Sequence, residues 1–284
     1  MRRPTCSAAS IPPSTSCCSR SASGCGARAA RESRSAKPGR SVPPLLSVRG
    51  LSKAFGGLQA VRAISFDLAA GEILGIIGPN GAGKSTVFSL IAGQERPDAG
   101  DIAFEGRAIG GLRAESIARR GLVKTFQTSR PFSSMTFLEN VMVGALARRV
   151  GLERARAVAM EQLVTVGLAD QAHSPAAWAS TGQRKRLEIA RALATAPRLL
   201  LLDEPFGGVD RPSIDALIRL LAGLRSDGMT LLLIEHNLDA VHRLVDRVLA
   251  MHLGERIAEG TPQAVTADPR VVQAYLGASE PAHA

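Results

Sequence analysis

The chain has 284 residues, of which 45% are hydrophobic, and a formal net charge of +10 at pH 7. No apolar run approaches the roughly 18 residues of a membrane-spanning helix, so we expect a soluble protein or one attached to a membrane only through a partner. Residues 1–44 carry eight basic residues and one acidic residue. The rest of the chain is therefore close to neutral and lacks the basic footprint of a nucleic-acid binder.

Residues 1–44 form a low-complexity segment rich in Ser, Ala, Arg and Pro. They hold all four cysteines, at a spacing that matches no zinc site. With so few large apolar residues, this segment is expected to be disordered. Its Arg-rich, acid-poor composition also resembles an organellar transit peptide, with an upstream-extended start codon as the alternative. The ordered domain is expected to span residues 45–284.

Short strands dominate the first part of this domain. Apolar alternation at Ile64, Phe66 and Leu68 is typical of a half-buried strand, whereas the continuous apolar run before Gly78 is typical of a buried parallel strand. The sequence predicts strands at 46–49, 64–68, 72–77, 101–105 and 122–126, the last ending at Gln127, and a helix from about Lys84 to Ala92.

Residues 136–168 have helical periodicity. One predicted face contains Phe137, Val141, Val143 and Leu146, and a second helix places Ala157, Leu163 and Val164 together. To about residue 178 this stretch is predicted to be an inserted helical subdomain.

Strand and helix alternate again after the predicted insertion. Strands are predicted at 199–203 and 230–236, helices at 213–224 and 238–244, and a closing hairpin at 248–258 around Gly254. Strands linked by helices predict a parallel sheet covered on both faces.

Residues 78–86 read GPNGAGKST and follow the buried strand directly. Glycines in this loop allow the backbone to turn its N–H groups toward an anion. Lys84 is placed to reach the β- and γ-phosphates of a nucleotide, and the Ser85 hydroxyl suits Mg²⁺. The following helix adds its positive dipole end. The order of strand, loop and helix therefore predicts a nucleoside triphosphate site, which alone leaves kinases, GTPases and ATPases open.

Polar residues at other strand ends narrow the class. Asp203 and Glu204 end an apolar strand, where one carboxylate suits Mg²⁺ and the next can polarise an attacking water; surface acids at a strand end are the alternative. Gln127 and His236 end other strands and are expected at the same carboxyl edge of the sheet. Phe55 either stacks on adenine or belongs to the core.

Residues 179–183 read ASTGQ and precede a helix predicted at 184–195. A Ser-Thr-Gly turn at a helix N-terminus binds anions, and a second anion site in one chain is expected to serve a neighbouring chain. An ordinary N-cap at Ser180 is the alternative. The basic run 184–186 opposes the helix dipole, so it either faces phosphates or forms a solvated basic face.

In this order, the motifs from about Leu45 to Gly277 resemble those of the ATP-binding subunit of an ABC transporter. The resemblance implies an α/β fold: a P-loop NTPase parallel-sheet core with an antiparallel β subdomain and an inserted helical subdomain. It implies ATP and Mg²⁺ as ligands. It implies that Phe55 stacks on adenine and that the phosphate loop is Walker A, formed by Gly78, Pro79, Asn80, Gly81, Ala82, Gly83, Lys84, Ser85 and Thr86. It also implies that Gln127 is the Q-loop glutamine at the metal, that Asp203 is the Walker B carboxylate and that Glu204 is the catalytic carboxylate. The signature would include Ser180, Gly182 and Gln183, while Asp210 would be the D-loop aspartate and His236 the switch histidine.

Ala179 and Thr181 depart from the signature's usual Leu and Gly, which puts turnover rate and dimer affinity in question. Residues 124–127, 131–132, 135–140, 260–262 and 274–277 are similar to branched-chain amino acid importers, and to a wider group that imports hydrophobic amino acids, amides and urea. Residues 203–210 instead resemble lipopolysaccharide-export ATPases.

The resemblance also implies partners. These are transmembrane permease subunits, a second ABC ATPase subunit docked head to tail, and indirectly an extracytoplasmic substrate-binding protein, with the chain peripheral at the cytoplasmic face of the inner membrane. Pro131, Phe132 and Met135 are the expected permease contact, unless Phe132 packs into the helical subdomain.

A soluble ABC ATPase acting on DNA or ribosomes is the alternative, although paired cassettes, coiled coils and zinc insertions are absent from the sequence and no nucleic-acid partner is expected. The Asp203-Glu204 pair and the lack of a guanine motif disfavour a GTPase or small-molecule kinase.

Overall fold

The computed structural model describes residues 43–125 and 130–277. The strands are β1 (Leu46–Phe55), β2 (Leu58–Leu68), β3 (Ile73–Ile77), β4 (Ala99–Phe104), β5 (Arg107–Ala108), β6 (Leu122–Lys124), β7 (Leu199–Asp203), β8 (Thr230–Ile234), β9 (Arg247–His252) and β10 (Glu255–Gly260). The α-helices are α1 (Lys84–Ile91), α2 (Ala114–Ala118), α3 (Phe137–Leu146), α4 (Leu152–Thr165), α5 (Thr181–Leu193), α6 (Arg211–Ser226), α7 (Leu238–Leu244), α8 (Pro262–Thr266) and α9 (Pro269–Gly277).

These strands form two sheets. The larger sheet has the order β10-β9-β3-β8-β7-β6, in which β10 runs antiparallel to β9 and the other strands are parallel. The smaller sheet is antiparallel, in the order β2-β1-β4-β5. The predicted α/β fold class, a parallel-sheet core with an antiparallel β part, is confirmed.

The parallel strands are buried on both faces because each face has its own hydrophobic cluster. In β3, Ile73 and Ile77 join the cluster that contains α3 to α7, whereas Leu74 and Ile76 join the cluster that contains α1 and the antiparallel sheet. The same alternation occurs along β7, β8 and β9. A strand that is buried on both faces has no polar side to show, which explains the continuous apolar runs in the sequence.

The predicted helical faces are partly wrong. Val143 and Leu146 were expected beside Phe137 but are 38% and 42% exposed, and Val164 and Ala157 of α4 are also exposed. The buried faces instead use small residues, such as Gly144 in α3 and Ala155 and Ala159 in α4. The cause is close packing: a Cβ at position 144 would overlap the Arg191 main-chain carbonyl of α5. Large aliphatic residues lie on both sides of these helices, since Leu138 and Val141 of α3 and Leu163 of α4 are buried, so they do not by themselves mark the buried face.

Some elements were not predicted from the sequence. Helices α2 and α8 have five residues each, too few to show a periodicity, and β5 has two. Residues 1–42 of the tail predicted at 1–44, Gln127 and residues 278–284 lie outside the described residues. None of the helices in residues 43–125 and 130–277 combines the length and the apolarity needed to cross a bilayer.

Candidate functional site

The glycine-rich loop connects β3 to α1 in a conformation that requires its glycines. Gly78, Gly81 and Gly83 have φ angles of +150°, +80° and +94°. A Cβ at Gly78 would overlap the Met251 carbonyl oxygen of β9, and one at Gly83 would overlap the Ala60 carbonyl oxygen of β2. The loop thus fits closely between two strands, and side chains at these positions would push it out of place.

Lys84 is the first residue of α1 and is almost fully buried. Its Nζ donates to the carbonyl oxygens of Gly78 at 2.7 Å and Pro79 at 2.9 Å, which holds the ammonium inside the loop. Burial lowers the pKa of Lys84, and the nearby carboxylates Glu204 and Asp203 oppose that change. Gly83 caps the helix without a side chain, so the first N–H groups of α1 have no side-chain cap and are suited to an anion.

A cavity of about 470 Å³ extends from this loop, within the 300–1,000 Å³ that is usual for ligand pockets. It is lined by Phe55, by loop residues from Asn80 to Thr86, and by Glu204. Phe55 is 45% exposed, so the alternative that it belongs to the core is wrong. Leu58 and Leu253 also line the cavity and are exposed. Sequence analysis missed both leucines because Leu58 begins β2 and Leu253 lies in the turn after β9, and neither belongs to a motif.

Asp203 ends β7 and is almost fully buried. Its Oδ2 lies 3.4 Å from Lys124 Nζ at the end of the neighbouring strand β6, and its Oδ1 has no hydrogen-bond partner. Burial raises the pKa of Asp203, and Lys124 opposes the rise. Lys124 was quoted in the sequence only as part of a family-like stretch, and strand pairing is what brings it to Asp203.

The residues present fit Mg²⁺. Asp203 has a buried carboxylate oxygen without a hydrogen-bond partner, and Ser85 is an exposed residue with a hydroxyl group. Mg²⁺ prefers such oxygen ligands and usually takes one or two carboxylates together with substrate phosphates and water. Among the described residues, no group of three or more His, Cys, Asp or Glu side chains could hold a metal ion.

Glu204 and His236 come together at the ends of adjacent parallel strands. Glu204 Oε2 lies 4.0 Å from His236 Nδ1, and Glu204 N donates to the Ile234 carbonyl oxygen at 3.0 Å. Glu204 adopts a left-handed conformation with φ +49°, which is unusual for a residue with a long side chain. The strand ends therefore bring a carboxylate and an imidazole to one edge of the cavity.

Ser180, Gly182, Gln183 and Asp210 form a second group, and none of them lines the cavity. Helix α5 begins at Thr181, three residues before the predicted start, because Ser180 and Gln183 form a capping box. Ser180 Oγ accepts from Gln183 N at 3.3 Å, and Ser180 N donates to Gln183 Oε1 at 2.8 Å. Ser180 is thus an N-cap, and any role with a second nucleotide remains a prediction.

Gly182 brings two helix N-termini together. A Cβ at this position would lie 2.7 Å from Ser213 Oγ and 2.9 Å from Ser213 Cβ in α6. Asp210 caps α6 by accepting from Ser213 N at 3.4 Å, and a hydrogen bond with the Ser213 side chain, more than this main-chain contact, lowers the pKa of Asp210. The N-termini of α5 and α6 therefore lie side by side and bring these four residues together, with Gly182 buried against α6.

The basic run 184–186 is not a uniformly solvated face, and its role toward phosphates remains a prediction. Only Arg184 is exposed. Lys185 is buried and donates to the Glu204 carbonyl oxygen, and Arg186 donates to the carbonyl oxygens of Val166 and Gly167. Two of the three cations therefore attach α5 to its neighbours.

Glu235 is a further residue that sequence analysis missed. It is fully buried, and its carboxylate accepts from the main-chain N–H groups of Phe206, His236 and Asn237 at 2.9, 3.1 and 3.3 Å. Burial raises the pKa of Glu235, and these N–H groups oppose the rise. Glu235 thereby joins the loop after Glu204 to the turn that carries His236. An acid directly before a strand-end histidine was the one signal available.

The C-terminal helix α9 lies near the phosphate loop. Burial raises the pKa of the Tyr275 phenol, and the Gly78 main chain opposes the rise. The last part of the described chain is therefore part of the surroundings of the nucleotide loop.

Family profiles and known proteins match most of the chain. A family profile described as ABC transporter matches residues 61–207, and one described as branched-chain amino acid ATP-binding cassette transporter matches residues 255–281. The high-affinity branched-chain amino acid transport ATP-binding protein LivG of Salmonella typhimurium is 39% identical over 250 residues, which covers 82% of this chain and 98% of LivG. The lipopolysaccharide export system ATP-binding protein LptB of Acidithiobacillus ferridurans is 38% identical over 239 residues, and the alignment covers 82% of this chain and 97% of LptB.

Solved structures agree with the sequence relatives. An ATP-binding cassette of an ABC transporter in its ADP conformation superposes with a TM-score of 0.77 at 32% identity, covering 83% of this chain and 100% of the other. A dimeric cassette in a post-hydrolysis state with ADP and phosphate superposes with a TM-score of 0.68 at 25% identity, covering 76% and 98%.

Proposed function

This chain belongs to the ABC transporter family of ATP-binding proteins and is an ATPase, and we propose that it powers a membrane importer of branched-chain amino acids. The observation that carries the substrate class is the match of residues 255–281 to the profile of branched-chain amino acid cassettes. The described part of that segment, residues 255–277, forms β10, α8 and α9, and it brings Tyr275 near the phosphate loop. Which hydrophobic amino acid is transported depends on the permease and the binding protein.

The chain's own residues account for nucleotide binding. The N–H groups of the loop and of the first turn of α1, with the Lys84 ammonium, form a positive concave surface for the phosphates. Phe55 offers an exposed ring for the base, with Leu58 and Leu253 beside it. Ser85 and Asp203 would hold Mg²⁺, which when bound neutralises charge on the phosphate oxygens.

Hydrolysis requires a positioned water. Glu204 is the residue that polarises it, and His236, 4.0 Å away, orients the γ-phosphate. Catalysis by these residues is mainly positioning and electrostatic stabilisation, as is usual for phosphoryl transfer. Gln127, which the family resemblance implies at the metal, remains a prediction.

The second site group suggests a head-to-tail dimer. Ser180, Gly182, Gln183 and Asp210 lie together at the N-termini of α5 and α6 and do not line the chain's own cavity, so a nucleotide that they contact belongs to another chain. The dimeric relative with ADP and phosphate supports pairing of cassettes. Thr181 is exposed at this surface and Ala179 is buried beneath it, so the threonine is the substitution that meets the partner's nucleotide.

A permease contact is proposed at the loop before α3. Phe132 is 45% exposed. The guanidinium carbon Cζ of Arg191 in α5 lies over the Phe132 ring, 5.4 Å from its centroid. The loop is held by fully buried Asn140, whose side chain accepts from Phe132 N at 2.8 Å and donates to the carbonyl oxygens of Phe132 at 3.1 Å and Thr136 at 2.9 Å. A rigid loop with an exposed aromatic residue suits docking of a membrane partner. Such docking would keep the chain peripheral at the cytoplasmic face of the inner membrane, with the substrate-binding protein on the other side.

Uptake measured in the source cell tests this proposal with native partners. Deletion of the coding sequence should abolish high-affinity uptake of labelled leucine, which the wild-type gene restores and a Glu204→Gln gene does not. Purified Glu204→Gln protein should bind ATP but hydrolyse little. Unchanged leucine uptake after deletion would contradict amino acid import, and near-normal hydrolysis by Glu204→Gln would remove Glu204 from its role.

Lipopolysaccharide export is the second candidate. Its support is the 38% identity to LptB together with residues 203–210. The same deletion separates the two functions, because loss of export would leave leucine uptake intact and accumulate lipopolysaccharide at the inner membrane.

A further inference from the structure

Lys185 is a buried cation that the proposed mechanism does not use. It lies one turn into α5 and is 6% exposed. Its Nζ donates to the main-chain carbonyl oxygen of Glu204 at 3.0 Å. With Glu188 and Asp203, it lines a small enclosed void between α5 and the end of β7. A buried ammonium is costly unless it is hydrogen-bonded, so its side chain is held in this position.

The peptide that Lys185 contacts is strained. Glu204 has φ +49°, a conformation that a long side chain adopts rarely and that persists only when its surroundings hold it. Three contacts hold this peptide: Glu204 N donates to Ile234 O, and Glu204 O accepts from Gly207 N at 3.1 Å and from Lys185. Because the backbone sets the direction of the Cβ, these contacts set where the Glu204 carboxylate points.

The same helix carries the surface proposed to meet the partner's nucleotide. Ser180 caps α5, Gly182 lies in its first turn, and Lys185 follows three residues later on the same face of the helix. Gly182 packs closely against Ser213 of α6, and residues Thr181–Leu193 form one continuous helix. A displacement of the α5 N-terminus therefore moves Lys185 with it.

We propose that Lys185 is a positioning residue that links the α5 N-terminus to the catalytic carboxylate of its own chain. Closing of α5 against the partner's nucleotide and the orientation of Glu204 are then one mechanical event. Lys185 acts through Glu204 and does not touch the substrate. This inference rests on the proposed function, since it requires Glu204 as the catalytic carboxylate and a head-to-tail dimer.

Variants at two neighbouring positions test the proposal in the full chain. Lys185→Met removes the donor, Lys185→Arg keeps a cationic donor, and Lys185→Gln keeps a shorter neutral one. Arg186→Met is the matched control, because Arg186 is a cation on the same helix that binds main-chain carbonyls at Val166 and Gly167 instead. The readouts are kcat and KM for MgATP, ATP affinity, and ATP-driven dimerisation of each variant combined with Glu204→Gln.

Lys185→Met should lower kcat at least about tenfold, because small misplacements of a catalytic group cost up to about a hundredfold. KM, ATP affinity and dimerisation should change less than about twofold, Lys185→Arg should recover most of kcat, and Arg186→Met should retain it. Should Lys185→Met not fold, Lys185→Gln decides by the same split between kcat and KM.

A kcat within about twofold of wild type in the donor-free variant would overturn the proposal. So would an equal loss of kcat and ATP affinity that arginine does not recover, since that pattern indicates a purely structural role. Failure of the proposed function has a different signature: the wild-type chain itself would not hydrolyse ATP, or Glu204→Gln would remain active.

Discussion

Two glycines of the phosphate loop provide a paired test of how closely the loop is packed. Gly81 and Gly83 both have a positive φ, +80° and +94°. They differ in the space around them: a Cβ at Gly81 would meet nothing within 4 Å, whereas one at Gly83 would lie well inside 3 Å of the Ala60 carbonyl oxygen in β2. Alanine at each position therefore separates backbone strain from steric overlap.

The cost of each substitution follows from these two terms. A left-handed conformation costs an alanine roughly 1–2 kcal/mol, and this applies to both variants. Overpacking adds about 1–3 kcal/mol, and it applies only to Gly83→Ala, where the overlapping atom is backbone and cannot rotate away. The expected loss of unfolding free energy is thus about 1–2 kcal/mol for Gly81→Ala and about 2–5 kcal/mol for Gly83→Ala.

Urea unfolding of both variants, with binding of a fluorescent ATP analogue, checks these values. Gly83→Ala should also bind nucleotide more weakly than Gly81→Ala, because relief of the overlap shifts the N–H groups next to Lys84. Equal destabilisation by the two alanines would refute the argument that β2 confines the loop.

Further substitutions test the permease loop and the buried acid. Asn140→Ala should cost about 2–3 kcal/mol, since it removes three hydrogen bonds of 3.1 Å or less to Phe132 and Thr136 that contribute about 0.5–1.5 kcal/mol each; Glu161→Gln, at an exposed position of α4, should leave the urea midpoint nearly unchanged. Phe132→Asp should abolish uptake in the assembled transporter while folding and ATP affinity persist, and normal uptake would reject the contact. Because burial raises the pKa of Glu235 above its ordinary 4.5, folding favours the protonated carboxyl, so the stabilising contribution is present below pH 4.5 and is lost as pH rises through the raised pKa. Wild type should therefore lose unfolding free energy relative to Glu235→Gln as pH rises from 4.5, and parallel curves would contradict the assignment.

Much of the sheet could be predicted from the sequence because its signals are local. Strand β7 was predicted at its observed bounds, and β3 within one residue, because a strand buried on both faces must be apolar throughout. The capping box at Ser180 was also visible, since Gln183 follows three residues later, but the predicted helix started too late because a Thr-Gly pair is typical of a turn.

The contacts that assemble the site could not be predicted in the same way. Lys185 and Arg186 have charges that normally indicate solvent, and only tertiary packing shows the main-chain carbonyls that hold them. Lys124 reaches Asp203 because β6 pairs with β7, a long-range fact that no motif encodes. The face of α3 was partly misjudged because close packing against the Arg191 main-chain carbonyl leaves room only for a glycine at position 144.

ATP-driven pairing of cassettes is the most direct test of the account. The Glu204→Gln chain, alone and mixed with the second cassette of the same transporter, should shift from monomer to dimer mass in light scattering when MgATP is added, and should return to monomer when ATP is removed. A protein that binds ATP with hydrolysis blocked and yet stays monomeric in both mixtures would contradict the shared nucleotide site.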